Sequence, residues 1–181
     1  MADWPRIARR IRVPTGFVVA GVYLWFAAPS AGSLALGAVL IIPGLLLRGL
    51  ASGYVQKNEA LTTGGPYAHT RNPLYLGSFV LALGFALSGR NVWVGAAMVA
   101  VFLAVYLPVI RAEESYLQHQ FSEFADYARQ VPRLLPRLTP WARREGGFSW
   151  TLYWKHREYN ATLGSAVMMA ALAAKWHWMS A

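Results

Sequence analysis

The feature that most constrains this chain is the separation of long apolar runs from the segments that carry nearly all of its charge. Hydrophobic residues make up 56% of the 181 residues and charged residues only 14%, about half the share of charge in a typical soluble domain. Five apolar runs are present, at residues 14–28, 33–47, 73–88, 92–110 and 159–174. Most are shorter than the roughly 20 residues that cross a bilayer, but flanking residues can extend them. The pattern predicts an all-α integral membrane bundle of about five transmembrane helices.

The basic residues lie almost entirely on one side of such a bundle. Of the 17 Lys and Arg residues, four precede the first run, three lie between the second and third runs, and eight lie between the fourth and fifth. Arg90 and Lys175 are the two that remain for the opposite side. The positive-inside rule therefore predicts a cytoplasmic N-terminus and cytoplasmic loops after the second and fourth runs. The net charge of +9 indicates membrane topology and not a nucleic-acid partner.

Composition also excludes several kinds of site. The chain has no cysteine, so disulfides, thiolate metal sites and cysteine nucleophiles are excluded. Its four histidines show no metal-ligand spacing such as an i, i+4 pair, and we therefore expect no metal site.

We interpret the chain as a single membrane domain, residues 1–181, in three parts. Residues 1–50 form a basic segment and a helical hairpin, residues 51–136 a catalytic core with spans three and four, and residues 137–181 a basic loop and a C-terminal span. The N-terminal part predicts a short helix on the membrane surface at residues 4–12. No small-residue cleavage site follows it, so we expect the first span to be retained. In the second run, Pro43 predicts a kink.

Two polar clusters flank the third and fourth runs. The first, at residues 64–75, begins with Gly-Gly-Pro turn chemistry. Its Asn72 precedes a proline and is biased away from helix, and Pro73 is suited to begin the next helix. The second cluster starts with two glutamates and has helical periodicity over residues 113–129.

Helix geometry predicts that these two clusters meet. A tight turn at residues 89–91 makes spans three and four antiparallel. Arg71 lies roughly 19 residues before the centre of that turn and Glu113 roughly 23 after it, so at ~1.5 Å per residue their heights differ by only about 6 Å. We therefore expect Arg71, Asn72 and Tyr75 to lie beside the glutamates at the cytoplasmic rim.

The two adjacent glutamates are expected to differ in role. Neighbours on a helix point about 100° apart, so Glu113 and Glu114 cannot serve one ligand in the same way. One would face inward while the other pairs with Arg71 or Arg111. An ordinary interfacial salt bridge between Arg71 and a glutamate is the alternative, since charges at this depth are usually functional or paired.

The two clusters resemble the motifs of the isoprenylcysteine carboxyl methyltransferase family and its phospholipid methyltransferase relatives. The family pattern Gly-x-Tyr, three residues, then Arg-His-Pro-x-Tyr is matched here at residues 65–67 and 71–75, with Asn72 at the position of the His. The second half of the pattern comprises Glu113, Glu114, Leu117, Phe121, Tyr127, Val131, Pro132 and Pro136. The resemblance covers about residues 59–136.

Three positions depart from the family pattern. Asn72 stands where the eukaryotic enzymes have His, Ser122 where Gly is usual, and Phe124 where Tyr is usual. Asparagine keeps hydrogen-bonding capacity but cannot act as a general base. Nearby, His69 is a candidate substitute.

The resemblance implies S-adenosylmethionine as the methyl donor, bound between the start of span three and the Glu-Glu helix on the cytoplasmic side. The residues implied to bind the cofactor or line its approach are Leu61, Thr62, Tyr67, Asn72, Pro73, Leu74, Tyr75 and Glu113. The catalytic candidates are Arg71, which would clamp a carboxylate, and Glu114, which would be the base for an amine acceptor.

The methyl acceptor is expected to be lipophilic and to enter between the spans from the surrounding membrane lipids. A prenylated protein C-terminus, an ethanolamine phospholipid and a small isoprenoid acid all fit. Two other functions stay open. One is an NADPH-dependent membrane enzyme of the sterol-reductase type, which has a similar Arg-x-Pro-x-Tyr stretch but generally more spans. The other is a non-enzymatic membrane protein whose clusters only stabilise the bundle.

Overall fold

A computed structural model of the protein describes residues 16–56, 59–141 and 147–181. These residues form seven α-helices, one short 3-10 helix and no strand, which confirms the all-α class. The helices are α1 (Gly16–Phe26), α2 (Ala31–Tyr54), α3 (Pro73–Gly89), α4 (Val92–Gln120), α5 (Phe124–Gln130), α6 (Trp150–Lys155) and α7 (Tyr159–Ser180), and the 3-10 helix is Gly65–Ala68. The surface helix predicted at residues 4–12 lies outside the described residues.

The central pair of helices is α2 and α3, which run antiparallel and touch at glycines. Gly37 lies opposite Gly84, and Gly44 lies opposite Gly77. A Cβ atom on Gly77 would lie 2.8 Å from the Gly44 carbonyl oxygen, and one on Gly84 would lie 2.8 Å from that of Gly37. Glycine at these four positions therefore permits direct backbone contact, as small residues do between membrane helices.

A tight reversal joins α3 to α4, as predicted. Arg90 has a left-handed backbone with φ of 51°, and its N–H bonds to the Leu87 carbonyl. The Asn91 side chain then caps α4 by accepting from the backbone N–H groups of Trp93 and Val94, both at 3.2 Å. The two helices consequently form an antiparallel hairpin.

Helices α2 and α4 are longer than the apolar runs from which they were predicted. The second predicted run stops at residue 47, but α2 continues to Tyr54, and α4 continues through Pro108 to Gln120. Both prolines lie inside helices, where a missing N–H is tolerated when neighbouring groups compensate. As a result Arg48, assigned from the sequence to a polar loop, lies on a helix. The kink at Pro43 stays a prediction.

The helical periodicity at residues 113–129 is divided between two helices. Helix α4 ends at Gln120 and α5 begins at Phe124, with a turn between them closed by the Phe124 N–H and the Phe121 carbonyl at 3.1 Å. The break folds α5 back so that Phe124, Tyr127 and Val131 pack against other apolar side chains, among them Leu61 and Leu117. Burial of this cluster outweighs continuation of the helix, and periodicity alone does not reveal that choice.

Among the described helices, α2 and α4 are long and apolar enough to cross a membrane. Only 22% of the most apolar window of each is buried inside the protein, whereas the core helix of a soluble protein would be mostly buried. The described part of α1 and the whole of α3 are apolar but shorter, and α7 has the length but not the hydropathy. The count of five spans therefore stays a prediction.

Helices α1 and α7 pack against the central pair through one apolar cluster. Its buried members are Tyr23 and Ala27 of α1, Ile41 of α2, Phe85 of α3 and Leu172 of α7. This arrangement leaves the N-terminal end of α7 beside the C-terminal half of α2.

Candidate active site

A polar cavity of about 420 Å³ lies where the start of α3 meets the C-terminal part of α4. Nine of the ten predicted site residues line it. They are Leu61, Thr62, Tyr67, Arg71, Asn72, Leu74, Tyr75, Glu113 and Glu114. The tenth, Pro73, is buried as the first residue of α3 and does not line the cavity.

The turn that begins the first polar cluster requires a glycine. Gly65 has a positive φ of 56°, which side-chain-bearing residues rarely adopt. A Cβ atom there would also lie 2.6 Å from the Tyr54 ring. The 3-10 helix that follows places the Tyr67 side chain at the cavity.

The rest of the first cluster is held by the segment after α5. The Arg71 N–H donates to the Pro132 carbonyl at 2.9 Å, and the Arg137 N–H donates to the His69 carbonyl at 2.9 Å. The Thr70 hydroxyl, almost fully buried, bonds the Leu134 carbonyl at 3.0 Å. The Val-Pro ending of the second cluster therefore positions the first.

His69 belongs to this scaffold. Its Nδ1 lies 2.8 Å from the Arg137 carbonyl oxygen, and the residue does not line the cavity. The structure thus does not bring His69 to the other site residues.

Glu114 is buried and engaged by three side chains. Its Oε1 accepts from Asn72 Nδ2 at 2.9 Å, and its Oε2 accepts from Arg133 Nε at 2.8 Å. Arg71 Nε lies 3.1 Å from Oε1 as an ion pair without hydrogen-bond geometry, and Arg71 Nη1 donates to the Ala128 carbonyl at 2.8 Å. The contacts join the polar loop, α4 and the segment after α5. They also realise the Arg71–glutamate salt bridge that the sequence left as an alternative.

Glu113 has different surroundings. It is half-buried, and its Oε2 accepts a 2.8 Å hydrogen bond from the Tyr75 hydroxyl. In the part of the chain that the structure describes, Glu113 forms no ion pair, unlike Glu114 and Glu158 on the same cavity wall. This carboxylate is therefore the one that a cationic ligand would find without a protein cation beside it.

Two tyrosines near the cavity stay neutral at physiological pH. Burial raises the pKa of Tyr67 well above its ordinary value, and the nearby Glu113 carboxylate adds to the effect. Burial also raises the pKa of Tyr127, whose hydroxyl donates to the Tyr67 carbonyl at 2.7 Å. Both side chains thus act as neutral hydrogen-bonding groups.

The cavity also has charged residues that the sequence did not assign to it. Arg48 of α2 binds Glu158 through Nε to Oε1 at 2.6 Å and Nη2 to Oε2 at 3.1 Å. Its Nη1 donates to the Ser78 hydroxyl on α3. His156 also lines the cavity, with Nδ1 3.0 Å from the Ser52 carbonyl oxygen. The available signal was Arg48 itself, a cation directly after an apolar run.

Residues 33–123, half of the chain, match the phospholipid methyltransferase family. The chain belongs to this family. The matched range contains all but the first two residues of α2, the whole of α3 and α4, and the first polar cluster, and it includes both Glu113 and Glu114. The family predicted from the two motifs is thus confirmed. The family match and the two helices long and apolar enough to cross a bilayer are the observations that support a membrane methyltransferase.

Three curated relatives are similar to parts of this phospholipid methyltransferase family member. It is 37% identical over 98 residues to the cobalt-zinc-cadmium resistance protein CzcN of Cupriavidus metallidurans, which covers 54% of this chain and 44% of that protein. It is 38% identical over 84 residues to the nickel-cobalt-cadmium resistance protein NccN of Alcaligenes xylosoxydans xylosoxydans, covering 46% and 39%. It is 26% identical over 142 residues to the protein-S-isoprenylcysteine O-methyltransferase of Schizosaccharomyces pombe, covering 75% and 60%.

The chain therefore spans less than two thirds of the length of each of these relatives. No solved structure matches it.

Proposed function

We propose that this protein is an S-adenosylmethionine-dependent methyltransferase that acts in the membrane on a lipophilic acceptor. Family membership supports the reaction class. The observation that carries the choice of cofactor is Glu113, a carboxylate in a polar cavity of about 420 Å³ that forms no ion pair among the described residues. A cavity of this size is in the range of small-molecule sites. The Glu113 carboxylate, which has no ion-pair partner among the described residues, suits a cofactor that carries both an ammonium and a sulfonium.

The chain's own residues would divide the binding as follows. Glu113, oriented by the Tyr75 hydroxyl, would hold a cationic or hydroxyl-bearing part of the cofactor. Tyr67 and Thr62 would add polar contacts from the loop side, and Leu61 and Leu74 would form apolar walls. Asn72 lines the same cavity, but its side-chain amide nitrogen already donates hydrogen bonds to Glu114 at 2.9 Å and to the Arg133 carbonyl at 3.0 Å. Pro73 would contribute indirectly, because it is the buried first residue of α3 and so fixes where Leu74 and Tyr75 lie.

We assign Arg71 and Glu114 the role of positioning residues. Their ion pair ties the polar loop to α4, and Arg133 completes the neutralisation of the carboxylate. Neither group would need to touch the reacting atoms to be essential. Removing one partner would leave a buried charge and displace the loop that carries Tyr67 and Tyr75.

When bound, S-adenosylmethionine would supply a methyl group: an acceptor lone pair would form the new bond to the methyl carbon as the carbon–sulfur bond breaks in line, and S-adenosylhomocysteine would leave. The cavity residues contribute alignment and exclusion of water, which supply much of the rate of such a displacement. A carboxylate acceptor is ionised at neutral pH and needs no base, whereas an amine must first lose a proton. Both predicted bases, Glu114 and His69, are engaged in structural contacts. The geometry therefore favours an acceptor that reacts as an anion, such as an isoprenylcysteine-like carboxylate.

The same proposal includes the orientation in the membrane. Nearly all basic residues lie in segments that share one face of the predicted bundle. We place this face, the N-terminus and the polar cavity on the cytoplasmic side. Water-soluble cofactor would then enter from the cytoplasm, and the acceptor from the bilayer.

Calorimetry with S-adenosylhomocysteine on the detergent-solubilised protein tests the cofactor. We expect the wild type to bind it and Glu113→Ala to lose binding. Ser122→Ala is the matched control, because Ser122 is exposed and does not line the cavity. The absence of binding to the wild type at millimolar ligand would refute the cofactor, and equal binding by the two variants would refute the site. Binding of NADPH instead would support the reductase alternative.

A further inference from the structure

Two apolar cavities adjoin the polar one. A cavity of about 380 Å³ lies among α1, α3 and α7, and one of about 250 Å³ lies among α1, α3 and α4. Side chains such as Leu81, Phe85 and Met98 line both. Ser78 and Tyr106 line all three cavities, and Arg48 lines the polar cavity and the larger apolar one. The three side chains Arg48, Ser78 and Tyr106, which we call the junction, therefore separate a polar space from an apolar one.

The junction carries a largely buried ion pair. The Arg48 and Glu158 side chains are only 21% and 9% exposed, and they link segments 110 residues apart. Removing two charges from water costs free energy that a neutral contact of the same shape does not cost. A buried ion pair is therefore a poor way to stabilise the fold, and stability alone does not explain its presence. A binding role for one of its members explains the charge better than packing does.

Arg48 retains N–H donors that no group in the described part of the chain accepts from. Its Nε and both terminal nitrogens each donate one hydrogen bond, two to Glu158 and one to Ser78. A guanidinium has five N–H groups, so one remains on each terminal nitrogen with no partner in residues 16–56, 59–141 and 147–181. Glu158 lines the polar cavity but not the larger apolar one, whereas Arg48 lines both. The charge presented to the apolar cavity is therefore the positive one.

We infer that Arg48 binds an anionic oxygen of the acceptor's head group, while the acceptor's hydrocarbon tail occupies the apolar cavities. Glu158 and Ser78 hold the guanidinium in place, which fixes the direction of the two remaining donors. The acceptor is thus selected as an anionic amphiphile, and the site rejects a neutral or cationic head group on the same tail. This inference rests on the proposed methyltransferase function and specifies the acceptor side of the same site.

Equilibrium binding on the full chain in lipid nanodiscs tests the inference. The probes are N-acetyl-S-farnesylcysteine, its carboxamide and farnesylamine, which share the farnesyl tail and differ in head-group charge. We expect the wild type to bind the acid about 10- to 100-fold more tightly than the carboxamide, the range that a charge-assisted hydrogen bond supplies. Farnesylamine is expected to bind no better than the carboxamide.

The variants separate binding from folding. Arg48→Gln leaves Glu158 as an unpaired buried charge and therefore tends to destabilise the protein. The double variant Arg48→Gln with Glu158→Gln removes both charges and keeps a polar contact between α2 and α7. We expect it to bind acid and carboxamide equally, and Arg48→Lys to keep part of the preference. Lys155→Gln is the control, because it breaks an exposed ion pair with Glu59 nearby.

S-adenosylhomocysteine binding is measured on the same samples to keep the two proposals apart. If the double variant binds S-adenosylhomocysteine within about twofold of the wild type but has lost the acid preference, the inference is supported. A preserved acid preference in the double variant would overturn it. So would a wild-type preference for farnesylamine that Glu158→Gln abolishes. Failure of the wild type to bind S-adenosylhomocysteine would instead count against the proposed function.

Discussion

The Tyr75 hydroxyl and the Glu113 carboxylate are joined by a 2.8 Å hydrogen bond that links the first turn of α3 to α4. The next residue, Glu114, points into a buried cluster with two arginines. Two adjacent glutamates thus have separate tasks, one neutralised within the scaffold and one at the cavity with a neutral partner. This division makes the contribution of each carboxylate measurable by itself.

Removal of the Tyr75 hydroxyl is expected to weaken cofactor binding without unfolding the protein. In Tyr75→Phe the Glu113 carboxylate loses the donor that orients it, and a hydrogen bond to a charged group contributes about 1.5–3 kcal/mol. We expect the dissociation constant for S-adenosylhomocysteine to rise by about tenfold or more. Calorimetry measures it, with Tyr153→Phe as the control because Tyr153 does not line the cavity. Unchanged binding by Tyr75→Phe would contradict the assignment.

Loss of the Glu114 carboxylate is expected to destabilise the fold. Glu114→Ala leaves Arg71 and Arg133 without their shared acceptor, and breaking a buried pair typically costs about 3–5 kcal/mol. The comparison is Asp126→Ala, which breaks the exposed Asp126–Arg129 pair and is expected to cost at most about 1 kcal/mol. Thermal unfolding in detergent measures both. Similar melting temperatures for the two variants would show that the buried cluster is not a structural centre.

His69 is expected to be dispensable for proton transfer. Its ring faces the Arg137 carbonyl and not the cavity, so His69→Gln should keep kcat and the shape of the pH–rate profile once the variant is shown to be folded. The measurement is methyl transfer by the wild type and by His69→Gln, from labelled S-adenosylmethionine to the acceptor that the wild type methylates, across pH 5 to 9. A pH limb present in the wild type and lost in His69→Gln would identify the imidazole as a base after all.

The buried tyrosines predict a loss of stability in alkali. Burial raises the folded-state pKa of Tyr127 above its ordinary value of about 10. The contribution of neutral Tyr127 to the free energy of unfolding is complete below that ordinary value. It falls as the pH rises toward the folded-state pKa, because the unfolded chain loses the tyrosine proton first. Thermal unfolding between pH 8 and 11 should show a smaller decline for Tyr127→Phe than for the wild type. Parallel declines would mean that Tyr127 does not contribute.

The glycine contacts between α2 and α3 predict that one added methyl group disrupts the bundle. In Gly84→Ala the new Cβ would lie 2.7 Å from Ile41 Cγ1 and 2.8 Å from the Gly37 carbonyl oxygen, so overpacking should cost about 1–3 kcal/mol. Gly21→Ala is the matched control, since nothing lies within 4 Å of its Cβ position and alanine favours helix by about 1 kcal/mol. Opposite shifts in melting temperature are expected. Equal shifts would show that the close approach is unimportant.

The meeting of the two polar clusters could be predicted because it depends on local quantities. A short turn and the fixed rise of a helix determine which residues of α3 and α4 share a height, and Asn72 and Tyr75 do contact Glu114 and Glu113. The break after Gln120 could not be predicted in this way, because apolar periodicity continues across it. Its cause is the packing of α5 onto a distant loop.

The Arg48–Glu158 pair shows a second limit of sequence reasoning. Its members are 110 residues apart, and no spacing rule relates them. They meet because α2 packs on α3 and the start of α7 docks beside α2. Such a contact is a product of the whole bundle, whereas each half of it resembles an ordinary interfacial charge in the sequence.

The glycine contact between α2 and α3 also determines where Arg48 lies. Arg48 is one helical turn beyond Gly44, and a Cβ on Gly77 would lie 2.7 Å from Arg48 Cγ. Any side chain at position 77 must therefore push the guanidinium aside or force the two helices apart. The spacing of these helices consequently sets the room available to the Arg48 side chain where it lines both the polar and the larger apolar cavity. Under the proposed function, Gly77 would therefore limit the size of the acceptor that fits beside Arg48 without itself contacting the acceptor.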